Sequence, residues 1–274
     1  MALPRQELDA DIQLAARGDM SVLLTGEPGA GKQYVARLVH GWSRRSEAPL
    51  VTMRCAGLPD AALELELFGR GEGHLPEPTG DTTCRLERAE GGSLLLEEVG
   101  EISPHMQGRL LRFLDSRLLE RSRRPPQIVD VRMMATATQP LFERVVAGRF
   151  IEDLYYRLNV IHLRIPPLRD RREELPSLTA KILRNLAERH RISVPELAPA
   201  VIASLQAYDW PGNVRELRDV MESLLVSRHA AIVESKDLPA WIVGQSLPGT
   251  QTAERGRAGA GHGTLTPSRN TAEA

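Results

Sequence analysis

Apolar and polar positions along the 274 residues fall into blocks whose period changes from one block to the next. Glu7 to Arg17 carries Leu8, Ile12, Leu14 and Ala15 at helical spacing, which predicts an amphipathic helix. Val22, Leu23 and Leu24 form a short continuous apolar run, the pattern of a strand covered on both faces. Comparable runs predict strands at Leu50 to Cys55, Ser93 to Leu96, Val129 to Ala135 and Val160 to Ile165. Helical spacing returns between them. Val35, Ala36, Leu38 and Val39 follow Lys32, and Ala61 to Phe68 is expected to start from Asp60 as N-cap and stop at Gly69. Ser103-Pro104 opens a further helix through Met106, Leu110, Leu111 and Leu114.

Strands alternating with helices predict an α/β fold of three layers, a parallel sheet covered on both sides with its ligand at the strands' C-terminal ends. After Pro166-Pro167 the strands stop, and Arg171 to His190, Pro199 to Ala207 and Val214 to Arg228 read as helices. The pattern therefore predicts an α/β domain over 1–167 and a small all-helical domain over 168–242. From 243 to 274 there is little to bury, and that tail is expected to be disordered. Arg70 to Cys84 carries Gly71, Gly73, Pro76, Pro78 and Gly80, which predicts a long exposed loop.

The chemistry concentrates first at Gly26-Glu27-Pro28-Gly29-Ala30-Gly31-Lys32-Gln33, where Gly26, Gly31 and Lys32 fit the phosphate-binding pattern G-x-x-x-x-G-K. Glycines let main-chain N–H groups face phosphate oxygens, the following helix aims its positive end at the same anion, and Lys32 adds a cation. Gln33 stands where many such loops place a magnesium-binding hydroxyl. The strand from Ser93 ends in Glu97-Glu98, acids that in a triphosphatase support magnesium and orient the attacking water. Net charge is −1, so no overall pull towards nucleic acid or a membrane is expected. No apolar stretch reaches membrane-spanning length, and the N-terminus lacks a signal-peptide core. Cys55 and Cys84 have no metal-ligand spacing. These features predict a soluble cytoplasmic protein with reduced thiols.

Several longer blocks now come into play: E-L-F-G at Glu66 to Gly69, G-G-S-L-L-L-E-E-V-G-E-I from Gly91, and G-R-L-L-R-F-L from Gly108. Further on come G-R-F-I-E-D-L-Y-Y-R-L-N-V from Gly148, P-P-L-R-D-R-R-E-E-L-P from Pro166 and W-P-G-N-V-R-E-L from Trp210. In this order they resemble the AAA+ domain of bacterial sigma-54-dependent transcription activators, from about Ser21 to Trp241. The resemblance implies an ATP-driven ring with magnesium and ATP between subunits, whose hydrolysis moves a loop that remodels sigma-54 RNA polymerase. It implies that Lys32 contacts the outer phosphates and Glu98 positions the water. Arg215 would be the lid arginine that senses nucleotide, and Arg157 one of two arginines reaching into the neighbouring site.

Five positions depart from the family pattern. The sigma-contacting G-A-F-T-G-A slot holds Gly73-His74-Leu75-Pro76-Glu77-Pro78, where two prolines fix φ and no hydroxyl remains, which argues against sigma-54 contact in the usual manner. The usual strand Asp is Glu97, whose longer arm would support magnesium only weakly. The usual phosphate-sensing Asn is Thr138, a hydroxyl of shorter reach. The Asn that restrains the catalytic glutamate is Arg54, which could instead pair with Glu98. The first trans arginine is Ile151. Together they predict retained ATP or ADP binding with weakened hydrolysis.

Neither a receiver domain nor a helix-turn-helix is expected in this chain, and the family's G-x-S element ahead of the first helix is not found, which puts the adenine pocket in question. The basic run Arg117, Arg121, Arg123 and Arg124 falls where family members carry a pore hairpin, and DNA binding by this chain is not expected. Three functions compete: a diverged transcription regulator, a nucleotide-dependent interaction subunit co-assembling with an intact activator, and a decayed product. Either of the first two implies a homo-oligomeric ring or a hetero-oligomer with a related AAA+ activator.

Overall fold

The computed structural model describes residues 5–69, 83–121, 124–227 and 232–244. Among the described residues seven strands precede the helical part: β1 (Val22–Thr25), β2 (Leu50–Arg54), β3 (Ser93–Glu97), β4 (Leu118–Arg121), β5 (Arg124–Ile128), β6 (Arg132–Ala137) and β7 (Ile161–Arg164). Five of them form one parallel sheet in the order β2-β3-β6-β1-β7, so β1 lies between β6 and β7 with its C-terminal end among theirs. Alternation of side chains along each strand divides the core in two. Leu23, Leu94, Leu96, Met133 and Ala135 face a cluster containing Leu63, Leu67, Leu110, Phe113 and Leu154. Val22, Leu24, Leu95, Met134 and Leu163 face the opposite way, onto Ile12, Ala15, Val35 and Val39. Both faces are dry, which is why the strands read as unbroken apolar runs. This is the three-layer parallel architecture that the alternation of strands and helices predicts.

A separate apolar cluster holds the helices Leu175–His190, Pro199–Ala207 and Asn213–Ser227 together around Trp210, which is fully buried and donates its indole N–H to Leu205 O at 2.8 Å. The helical region also contains a two-residue parallel pairing of Glu196–Leu197 with Ile232–Val233, too short to leave a sequence signal.

Local differences from the sequence reading have physical reasons. Pro59 rather than Asp60 is the N-cap of Asp60–Phe68; Asp60 lies in the first turn and accepts from Ser103 Oγ at 2.5 Å. β6 starts at Arg132 instead of Val129, because Val129 pairs with the preceding helix end (its N–H to Arg117 O, 2.9 Å) before the sheet begins. Cys84 caps the short helix Arg85–Arg88 instead of ending the loop. The long lid helix starts at Leu175, after two 3₁₀ turns, with Pro176 in its first turn where a missing N–H costs nothing. β4 and β5 form an antiparallel hairpin despite Pro125-Pro126, which an isolated two-stranded ladder tolerates. The sigma-loop slot at 73–78 and the tail beyond 244 lie outside the described residues.

At the opposite end of the sheet from the strand tips, Arg45 ties three segments together. Its guanidinium binds both carboxylate oxygens of Asp19 (3.0 and 3.3 Å), Asp130 Oδ1 (2.9 Å) and Gly92 O (3.3 Å). The hydrogen bond from Arg45 holds the Asp19 carboxyl below its usual range. A carboxyl lowered in the folded state stabilises the fold above its unfolded pKa of 3.8 and loses that contribution as pH falls below it. Asp19→Asn is therefore expected to flatten the loss of stability as pH falls through and below 3.8, as read by urea unfolding at each pH. Truncating Trp210 to Ala removes the centre of the helical cluster and is expected to cost about 3–5 kcal/mol, measured by denaturant unfolding followed by circular dichroism.

Candidate functional site

β1 ends between β6 and β7, and the chain turns through Gly26 to Gly31 into the helix Lys32–Gly41. Gly31 has φ 106°, a left-handed conformation that a side chain would resist, and this turn delivers the helix N-terminus to the strand tips. The N–H groups of Gly29, Gly31, Lys32 and Gln33 have no backbone acceptor among the described residues. Lys32 is buried, and its Nζ donates to Gly26 O (2.8 Å), Glu27 O (3.3 Å) and Thr138 Oγ1 (2.7 Å), with Glu98 Oε1 at 3.3 Å. Burial lowers the pKa of this ammonium, and Glu98 opposes that shift. Gln33 is exposed.

The tips of β3 and β6 supply the rest of the cluster. Glu98, the first residue after β3, has φ 56° and ψ 50°, and its N–H is held by Thr136 Oγ1 at 3.1 Å. Such a backbone is costly for a residue with a side chain, and it turns the carboxylate towards β6. There Thr138 donates twice, from its N–H to Oε2 (3.0 Å) and from its hydroxyl to Oε1 (2.9 Å). Lys32, Glu98 and Thr138 thus converge beside the loop.

Glu97 closes β3 next to Arg54 in the β2 register. The expected Arg54–Glu98 pair does not form: Glu98 is taken by Lys32 and Thr138, while Arg54 is exposed and its side chain has no hydrogen bond or ion pair among the described residues. Cys55 lies buried beside these acids. Desolvation, aided by the charges of Glu97 and Glu98, pushes its thiol up to about 12.

The helical region reaches over the loop. Arg169 forms a two-pronged pair with Glu27 (2.6 and 2.9 Å), and Asn213 adds a bond to the same carboxylate at 3.1 Å. These contacts bring the Glu27 carboxyl down to about 2, the Arg169 hydrogen bond contributing most. Asn213 Nδ2 also reaches Pro28 O (3.1 Å), Val214 N–H reaches Gly29 O (3.1 Å) and Arg171 Nη2 reaches Ala30 O (2.6 Å). Gly29 permits the approach: a Cβ there would lie 2.3 Å from Gly212 O. Arg215 is exposed, has no ion pair among the described residues, and depresses the Lys32 pKa through its charge. Together with Pro28, Gly212, Glu216 and Trp241 it lines a cleft of about 440 Å³.

Arg157 stands apart from this cluster, exposed and paired with Asp115 at 2.7 Å. Ile151, at the start of the same helix, packs on the main core. Of the basic run, Arg117 donates to Val131 O (2.9 Å) at its helix end, and the side chains of Arg121, Arg123 and Arg124 lie outside the described residues. Sequence reasoning gave no role to Asn213, Arg169 or Arg171. They sit inside W-P-G-N and P-P-L-R-D-R, blocks that resemble the family, but no local rule says which loop they touch. Among the described residues no group of three or more His, Cys, Asp or Glu could hold a metal, and no helix is long and apolar enough to cross a membrane.

Residues 4–164 match the family described as the sigma-54 interaction domain, and residues 169–255 match the AAA+ ATPase lid domain. The transcriptional regulatory protein ZraR of Escherichia coli K12 is 42% identical over 244 residues, 89% of this chain and 55% of ZraR. The regulatory protein AtoC of the same strain is 42% identical over 236 residues, 85% of this chain and 50% of AtoC. The chain spans about half the length of the curated relatives it matches. NtrX from Brucella abortus, solved in complex with ADP, superposes with a TM-score of 0.77 at 34% identity, covering 88% of this chain and 55% of NtrX. Its complex with ATP gives the same TM-score and identity over 90% and 57%. With a glycine-rich turn after an interior strand of a five-stranded parallel sheet and a helical lid closing on it, the chain belongs to the sigma-54 interaction domain family, the AAA+ domain of sigma-54-dependent transcription activators.

Proposed function

We propose that this chain is an ATP-binding transcription regulator whose hydrolysis is weakened and whose contact with sigma-54 is not of the usual kind. The observation that carries it is the convergence of Lys32, Glu98 and Thr138 beside a turn whose amides at Gly29, Gly31, Lys32 and Gln33 have no backbone acceptor. Unpaired amides at a helix N-terminus with a buried cation fit a polyphosphate. NtrX, solved with ATP and with ADP, supports the same reading. The unit that binds is residues 1–167, with 168–242 as its lid, in the cytoplasm.

Bound ATP would supply a phosphoryl group whose transfer to water is stabilised by cations. On this chain's side, Lys32 would exchange Glu98 and Thr138 for phosphate oxygens. That exchange frees the Glu98 carboxylate to orient water, and Thr138 to bond either partner. Both oxygens of Glu98 start out engaged, which opposes this release. Magnesium would rest on Glu97 and the phosphates, without help from a hydroxyl at Gln33. Arg157 would act in a neighbouring subunit's site, after leaving Asp115, and Arg215 would meet the nucleotide from the lid. In the sequence, Pro76 and Pro78 occupy the slot where the family carries its sigma contact, and a proline ring restricts φ.

A second reading, a nucleotide-dependent subunit that co-assembles with an intact activator, is favoured by Ile151. It packs on its own core and offers a neighbour no charge. Nucleotide-dependent mass in solution, with sigma-54 and an intact activator present or absent, separates the two.

The triple change Glu97→Asp, Arg54→Asn and Ile151→Arg is expected to raise phosphate release at least several-fold, and equal or higher turnover by the unmodified chain would refute the diagnosis. Saturating Mg-ATP should raise the melting temperature of the native chain, since a ligand at about 100 times its Kd stabilises by about 2.7 kcal/mol. Lys32→Ala is expected to abolish that rise.

A further inference from the structure

We infer that the lid shapes the phosphate cradle from behind, through three main-chain carbonyls, and that Asn213 and Arg171 are its positioning residues. This rests on the reading that residues 26–32 receive the phosphates of a nucleotide. In a trans peptide the carbonyl and the following N–H point to opposite sides. The carbonyls of Pro28, Gly29 and Ala30 all accept from the lid, from Asn213 Nδ2, Val214 N–H and Arg171 Nη2 in turn. The N–H groups of Gly29, Ala30 and Gly31 are therefore driven to the side away from the lid. Ala30 spends its N–H on closing the turn to Glu27 O at 3.2 Å, while those of Gly29 and Gly31 have no backbone acceptor among the described residues.

Without such anchors the arrangement would not hold itself. Each of these peptides has glycine on at least one side, and glycine crosses between positive and negative φ at little cost. A flip of the 28–29 or 30–31 peptide would turn a carbonyl, the negative pole, towards the anion.

Asn213 is built for this work. It is fully buried, with φ 54° in the left-handed region that Asn tolerates better than other residues with side chains. Its Oδ1 accepts the Leu168 N–H at 2.8 Å, which fixes the amide so that Nδ2 faces Pro28 O and Glu27. One side chain thereby joins the start of the lid to the back of the loop. Arg171 repeats the contact two residues further along the loop, at Ala30. Both touch the rear of the peptides, whereas Arg215 is free to meet a ligand.

Calorimetry on the full chain, with magnesium present, tests this using ATP and inorganic triphosphate. Asn213→Asp keeps the acceptor for Leu168 and removes the donor to Pro28; Arg171→Met removes the donor to Ala30; Arg171→Lys restores one. The expected result is about tenfold weaker binding of both ligands by Asn213→Asp and Arg171→Met, the scale of one lost hydrogen bond. Arg171→Lys should recover most of it, with the unliganded melting temperature of the two Arg171 variants within a few degrees of the native chain. Undiminished affinity in Arg171→Met overturns the inference whether or not Asn213→Asp folds. So does a loss confined to ATP, which would make these residues nucleoside contacts, or a native chain that binds ATP but not triphosphate. A native chain that binds neither sinks the nucleotide reading itself.

Discussion

An ammonium group inside a protein must be surrounded by acceptors, and the placement of Lys32 shows how many parts of this fold are needed to supply them. Gly26 and Glu27 give carbonyls from the loop, Thr138 a hydroxyl from the tip of β6, and Glu98 a carboxylate from the tip of β3. Those four come from three separated stretches of chain, and only the parallel stacking of β3, β6 and β1 puts their C-terminal ends together. The buried sheet is thus the means by which a charge is held in a partly desolvated position, where its interaction with an anion is worth more than in water.

The lid adds a second constraint from the opposite direction. Glu27 is held by Arg169 and Asn213, and Gly29 lies so close to Gly212 that a methyl group could not be inserted. Loop and lid therefore move as one surface unless these contacts part. In this respect the loop differs from a free-standing glycine turn: its shape is a tertiary property, fixed about 140 to 190 residues downstream in sequence.

Much of this was legible in the chain. The apolar runs at 22–24 and 93–96 fall on buried strands, and Ser103-Pro104 opens its helix with the hydroxyl accepting from Met106 N–H at 3.3 Å, because capping chemistry is local. The turn through Gly26 to Gly31 was legible because glycine spacing encodes backbone shape directly. The β4–β5 hairpin was not read from the residues alone, since Pro125-Pro126 suppresses the strand pattern that a paired ladder normally shows. Nor was the fate of Glu98: charge alone suggested Arg54, whereas its left-handed backbone aims it at Thr138. Asn213 and Arg171 carried no local signal, as their partners are main-chain carbonyls, which every residue possesses.

Cys55 and Cys84 are both buried, and desolvation, with the charges of Glu97 and Glu98 adding to it, suppresses the Cys55 thiolate. Alkylating reagents require the thiolate and access to it, and the folded protein denies Cys55 both. A single cysteine introduced on the lid surface would consequently take a maleimide dye selectively with the two natural ones left in place. Opening and closing over the loop could then be followed by fluorescence in the otherwise unaltered protein.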